Sequence, residues 1–111
     1  MHAEELKVKL RDILGNQIEF NKEFDKYTDT IKNIDDNLIE WCKIIKEGKL
    51  RANRAPNRED ALVFIKKIGS SNRCIVIKIK NGIFTEVHLA DHAYYDKLRK
   101  ELGLKSDSKY Y

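Results

Sequence analysis

Apolar residues fall at helical spacing through the first half of the chain and switch to a period of two in the second. Over residues 3–14, Leu6, Leu10, Ile13 and Leu14 line one helical face, and Gly15-Asn16 ends the segment. Ile18 and Phe20 alternate in residues 17–20, enough for a brief strand. Asn21 is a suitable N-cap, with Phe24, Tyr27 and Ile31 following at helical spacing. A second helix is predicted over 36–47, with Leu38, Ile39, Cys42 and Ile45 on its apolar face, Trp41 beside it and Gly48 stopping it. Residues 49–58 (KLRANRAPNR) read as a basic loop, where Pro56 opposes regular structure. Residues 62–68, 73–80 and 83–89 then alternate as strands. Asn81-Gly82 predicts a type I′ hairpin, since both residues accept positive φ. Residues 69–72 make a longer turn. A last helix starts near Asp91 and ends at Gly103, with Tyr94, Leu98 and Leu102 on one face.

A two-residue turn sets a register in which 79 pairs with 84, 75 with 88 and 73 with 90. A regular four-residue turn before it pairs 68 with 73 and 66 with 75. One face then carries Val63, Ile65, Cys74, Val76, Val87 and Leu89 and is left to the two central helices. The other carries Lys66, Arg73, Ile75, Glu86 and His88, with Leu62, Phe64, Ile77, Ile79 and Phe84 at its far end. The N-terminal helix is expected to cover that apolar end. His92 follows the strand of His88, so Lys66, Arg73, His88 and His92 gather at one end of one face. The expected fold is α+β: an antiparallel sheet with two helices on one face, plus N- and C-terminal helices.

Length changes the picture little: 111 residues make one domain, large enough to bury roughly two-thirds of its unfolded surface. Residues 1–16 read as a helical extension and 17–111 as the domain proper. No apolar run approaches the roughly 18 residues a membrane span needs, and the acidic start lacks a secretory pattern. Cys42 and Cys74 have no metal spacing, so the expectation is a reduced, cytoplasmic chain without cofactor or metal.

Charge is more telling in its distribution than in its total of +4. Residues 1–47 hold 11 acids and 8 bases, 48–85 hold 2 acids and 9 bases, and 86–111 hold 5 of each. There is no acid from Ala61 to Thr85. A cationic middle on a nearly neutral frame fits a polyanion such as nucleic acid, or a lysine-rich solvated surface. Arg51, Arg54, Arg58 and Lys67 are its candidate phosphate contacts, and the tail, ending Lys109-Tyr110-Tyr111, either stacks on nucleic acid or frays.

Two imidazoles beside fixed cations suit acid/base work on a phosphodiester. Cleaving RNA needs a base for the 2′-hydroxyl, an acid for the leaving 5′-oxygen and cations for the charge developing on phosphorus. Imidazole gives or takes a proton near neutral pH, and guanidinium offers paired donors to phosphate. Glu86 is a further base or a lysine's partner, and Asp91 a helix cap or a catalytic group. Satisfied structural histidines are the plain alternative.

The order of elements, a short strand, two helices, a basic loop, a three-stranded meander and a last helix, resembles the RelE/ParE superfamily of toxin–antitoxin toxins. Ile18-Glu19-Phe20-Asn21-Lys22-Glu23-Phe24 resembles their first strand and helix start, and Arg73-Cys74-Ile75-Val76 their central-strand arginine. Thr85-Glu86-Val87 and Asp91-His92-Ala93-Tyr94-Tyr95-Asp96-Lys97 are similar to the T-H-x-E-Y-D stretch of HigB-type members, with Asp91 replacing the threonine and Tyr94 the glutamate. The resemblance spans about residues 17–102. It implies a type II toxin, a metal-independent mRNA interferase acting on mRNA at the ribosome, contacting ribosomal RNA and neutralised by an acidic antitoxin. Arg73 would steady the phosphate, His92 serve as acid or base, and Tyr95 stack on or orient a base; Lys66 and His88 join them from strand register. A non-catalytic RNA- or DNA-binding module and a protein-interaction domain are the rival readings.

Overall fold

The structure is a computed structural model and describes residues 2–68 and 71–104; the tail beyond 104 lies outside the described residues. Helix α1 (His2–Leu14) leads through β1 (Glu19–Phe20) into α2 (Phe24–Thr30) and α3 (Ile34–Lys46). Strands β2 (Asn53–Arg54), β3 (Ala61–Ile68), β4 (Asn72–Ile79) and β5 (Phe84–Asp91) follow, and α4 (His92–Leu102) closes the chain's described part. The sheet runs β1-β5-β4-β3-β2, with β1 parallel to β5 and the other neighbours antiparallel. The architecture is thus α+β with a five-stranded mixed sheet: β1, the brief strand expected within 17–20, and β2, which lies inside the expected loop 49–58, flank the three strands of the meander.

Both faces of the sheet are covered. On one, α1, α2 and α3 contribute Leu6, Leu10, Leu14, Phe24, Leu38 and Trp41 to a core with Phe64, Ile68, Cys74, Val76, Val87 and Leu89 of the sheet. On the other, Tyr95, Leu98 and Leu102 of α4 pack on Ala61, Val63, Ile65, Ile75 and Ile77. Helix α1 therefore does not cover the sheet's second face; α4 does. The reason is chain length: α4 starts one residue after Asp91 and has no connection long enough to leave the face it begins on. Central β4 is apolar on successive residues, Cys74 to Ile77, because it is buried on both sides.

Between β4 and β5 the strand register follows the sequence pattern from Asn72 to Ile77 and departs from it at the hairpin, where Phe84 faces Lys78 rather than Ile79 and joins the α1–α3 side; between β3 and β4 it departs throughout. Ile75 faces His88 and Arg73 faces Ala90, as the hairpin dictates. The turn itself is not type I′. Ile79 N–H bonds Ile83 O at 2.8 Å and Gly82 N–H bonds Ile79 O at 2.9 Å, a three-residue loop in which Gly82 alone takes positive φ, 99°. That one-residue change is undone at once by an irregularity at Ile77/Lys78, which leaves Thr85 as the extra residue. Before β4, Ile68 pairs with Asn72 and Lys66 with Cys74. The connection is one residue shorter than a regular four-residue turn. Because side chains alternate, that slip sends Lys66 to the α3 side and turns Val63, Ile65 and Lys67 toward α4.

Asn21 is not the cap of α2, whose N-cap is Glu23. Its amide Nδ2 donates to Leu89 O and its Oδ1 accepts from Leu89 N–H, both at 2.9 Å. The side chain thereby extends the β1–β5 ladder by one rung after the two-residue strand ends.

Both cysteines are free and buried, Cys42 on α3 and Cys74 on β4. Burial pushes the Cys42 thiol up to about 12 and Cys74 well above the ordinary range, so both are inert packing groups.

Candidate active site

Alternation along β4 and β5 sets Arg73, Glu86, His88 and Ala90 on the α4 side of the sheet, and the corrected register adds Lys67 opposite Arg73. Asp91 ends β5 and caps α4. Its Oδ1 accepts the Tyr94 N–H at 2.8 Å, and its Oδ2 accepts from the Tyr27 hydroxyl at 3.1 Å. The Tyr94 N–H, with the Tyr27 hydroxyl, holds the Asp91 carboxyl below its usual range against partial burial. Asp91 is thus a cap, with its carboxylate engaged.

Helical rotation from that cap sends Tyr94 and Tyr95 to different places. Tyr95 is 2% exposed, against the sheet, with the Arg73 guanidinium 5.8 Å from its ring centroid. The His92 ring lies 6.4 Å from the same centroid and its side chain is 58% exposed, Nε2 being 3.6 Å from Asp96 Oδ2. Arg73 is 7% exposed and donates to Asn72 O at 3.0 Å. The sequence-predicted pair therefore converges on one ring: Arg73 from beneath, His92 from the solvent side. Tyr95 presents no open face to a nucleobase, because that ring is core. Lys66 does not join this corner; it lies on the opposite face, and the exposed Lys67 takes its place.

His88 belongs to a second constellation. Its Nδ1 lies 2.9 Å from the Tyr94 hydroxyl and its Nε2 lies 2.9 Å from Glu86 Oε1, while Arg58 donates to Glu86 Oε2 at 3.1 Å. Burial, reinforced by Glu23, Glu86 and Glu101, raises the Tyr94 phenol above its ordinary value, so it stays protonated. Nε2–H donates to Glu86, and Nδ1 shares one proton with the Tyr94 hydroxyl. Both imidazole nitrogens are engaged, which makes His88 a structural link between β5 and α4. Arg58 is committed to the same chain, whereas Arg51 and Arg54 are exposed on and beside β2, at the other end of the sheet. Glu86 and Tyr94 carry more of this network than the sequence pattern assigns them. The spacing Glu86-x-His88 on one strand face was the available signal.

A groove of about 380 Å³ opens along this network, between Glu19–Glu23 and α4. Glu19, Glu23 and Glu86 line it with Lys22 as its single lysine, so its potential opposes a phosphate. The corner of Lys67, Arg73 and His92 has the opposite sign. Among the described residues, no group of three or more His, Cys, Asp or Glu could hold a metal ion, and no helix is long and apolar enough to cross a membrane.

The Glu86 carboxyl is held below its usual range, first by the His88 hydrogen bond and then by Arg58, against the cost of burial. A depressed carboxyl stabilises the fold above its unfolded value and loses that contribution as pH falls through the folded one. We expect Glu86→Gln to destabilise the protein at pH 7 and to matter much less near pH 3, measured by urea unfolding at both values. An equal penalty at both would show that charge on Glu86 contributes nothing.

Comparison with protein-family models, curated proteins and solved structures finds no match to this chain.

Proposed function

We propose that this chain is the toxin of a type II toxin–antitoxin system, a metal-independent endoribonuclease acting on mRNA at the ribosome. The observation that carries the reading is the corner where Arg73 and His92 both lie near Tyr95, with exposed Lys67 opposite Arg73 in the sheet. It supplies the two things the reaction needs in one place: fixed positive charge and a solvent-facing imidazole. In the proposed step the RNA 2′-hydroxyl loses its proton to the His92 imidazole and its oxygen attacks the adjacent phosphorus. The bond to the 5′-oxygen breaks, leaving a 2′,3′-cyclic phosphate and, after protonation, a free 5′-hydroxyl. Lys67 meets the phosphate from solvent, and the buried Arg73 guanidinium adds positive potential behind it without touching it. Arg51 and Arg54 extend the cationic surface toward ribosomal RNA. An acidic antitoxin is the complementary partner for such a surface.

The experiment is induced expression in growing cells, with mapping of mRNA ends. Arrest of translation with new 5′-hydroxyl ends, and cleavage in vitro that persists in EDTA, is the expected result. Unimpaired growth with intact mRNA overturns it. Exposed Arg51 and Arg54, away from that corner, favour one second reading, a non-catalytic RNA-binding module. There affinity falls steeply with salt as phosphate contacts release counterions, and no new ends appear.

A further inference from the structure

The outer edge of β3 is longer than the strand that covers it. Among the described residues, β2 pairs with β3 only at Arg54↔Leu62 and Asn53↔Val63, although β3 runs on to Ile68. The direction of its free backbone groups follows from the neighbouring ladders. The Thr85 hydroxyl bonds Ile77 O from the β5 side, so Ile77, which faces Val63, turns its polar groups away from β3. Asn53 Nδ2 bonds Val63 O from the β2 side at 3.4 Å. Val63 therefore points outward, and by strand periodicity so do the N–H and C=O of Ile65 and Lys67. No backbone bond to either from outside β3 and its neighbouring strands is present among the described residues.

The charged side chains that the edge strands themselves carry here are basic. Lys66 flanks it on the α3 side, Lys67 on the α4 side and Arg54 at the β2 end, and no acid occurs from Ala61 to Thr85. Edge lysines oppose pairing with a second copy of the same edge, since like charges would meet across the ladder. The same charges favour a strand of opposite sign. A groove of about 220 Å³ runs beside the edge between α3 and Lys66, lined by Trp41, Asp36 and Glu40. Among the described residues, the buried Trp41 indole N–H has no hydrogen-bond partner. The two carboxylates make that side suit an uncharged side chain, while the Lys67 side suits an acidic one.

We propose that the β3 edge from Ile65 to Lys67 accepts, in trans, an extended acidic peptide segment as an added strand. Its acidic side chains alternate toward Lys67 and its uncharged ones toward the Trp41 groove. Unmet backbone donors and acceptors favour a peptide over RNA, which has no ladder to offer them. The inference does not rest on the catalytic reading, because its test reads peptide binding and no RNA cleavage.

The test uses Lys67, whose N–H points outward. Proline there removes one outward donor without touching the β3–β4 ladder, as proline on an edge strand can; alanine removes the charge and keeps the donor. The probe is a fluorescent extended peptide alternating glutamate with valine and threonine, followed by anisotropy on the full chain. Wild type should bind it, Lys67→Ala should weaken binding by less than about tenfold with a shallower salt response, and Lys67→Pro should weaken it by more than about tenfold. A peptide N-methylated on alternate amides reads the same ladder from the other side should the proline variant fail to fold, and it too should lose binding. Equal binding by Lys67→Pro and Lys67→Ala in folded protein overturns the proposal, as does full binding of the N-methylated peptide. Displacement of the probe by an oligouridylate with equal potency on wild type and Lys67→Pro would make this an RNA surface. Displacement by a peptide of residues 105–111, which carries two lysines and one aspartate, would assign the edge to the chain's own end. Either result also overturns it.

Discussion

Tyr95→Ala is expected to destabilise the protein by about 3–5 kcal/mol, the largest loss of any single change at the site. The ring is 2% exposed and packs with Val63, Ile65, Ile75, Ile77 and Leu102, which makes it the main anchor of α4 on the sheet. Truncation loses the transfer energy of the ring and leaves a cavity between two rigid layers that cannot close on it. It also takes away the aromatic face under which the Arg73 guanidinium is held. Against a total stability of about 5–15 kcal/mol for a domain, such a loss should move the urea midpoint far toward zero. Tyr95→Phe keeps the ring and should recover most of it. A loss below about 1 kcal/mol for the alanine variant would mean that α4 is not docked through this residue.

The second large effect is on activity. His92→Ala should slow RNA cleavage by about 10²–10⁴-fold, the usual contribution of a positioned proton-transfer group. The same change should leave stability within about 0.5 kcal/mol, because the side chain is 58% exposed and its ionic neighbour Asp96 sits at 3.6 Å on the helix surface. The contrast with His88 makes the measurement specific. His88→Ala breaks hydrogen bonds to Tyr94 and Glu86, so any loss of cleavage there comes with a loss of stability. Cleavage at the wild-type rate by folded His92→Ala would remove this imidazole from the reaction. Partial return of activity on adding free imidazole would confirm that the missing group is the proton carrier.

How much of this was legible in the sequence depends on whether neighbouring residues resolve the geometry. The change of period from helical to two placed α1, α3, β3, β4, β5 and α4 to within a few residues. Asn81-Gly82 placed Arg73, Ile75 and His88 on a common face even though the turn type differs, because the loop and the irregularity at Ile77/Lys78 deviate by one residue in opposite senses and cancel. Doubled residues are where pattern gave no purchase. Lys66 and Lys67 are chemically alike, so either register puts a lysine beside Arg73, and only the length of the preceding connection chooses between them. Tyr94 and Tyr95 pose the same problem on a helix, where one step of rotation separates a groove hydroxyl from a core ring. Asparagine at the start of an apolar helical run is usually a cap, which is what local pattern predicts for Asn21. Its pairing with Leu89, 68 residues away, leaves no local trace.

That pairing restricts what can stand at position 21. The contact asks one short side chain to give a proton to a carbonyl and to take one from an amide, side by side, as a peptide unit does. Aspartate can only take, serine is too small to do both in that geometry, and glutamine carries its head one carbon too far. Drift in the chain should therefore halt at this residue, with no chemistry of the active corner involved.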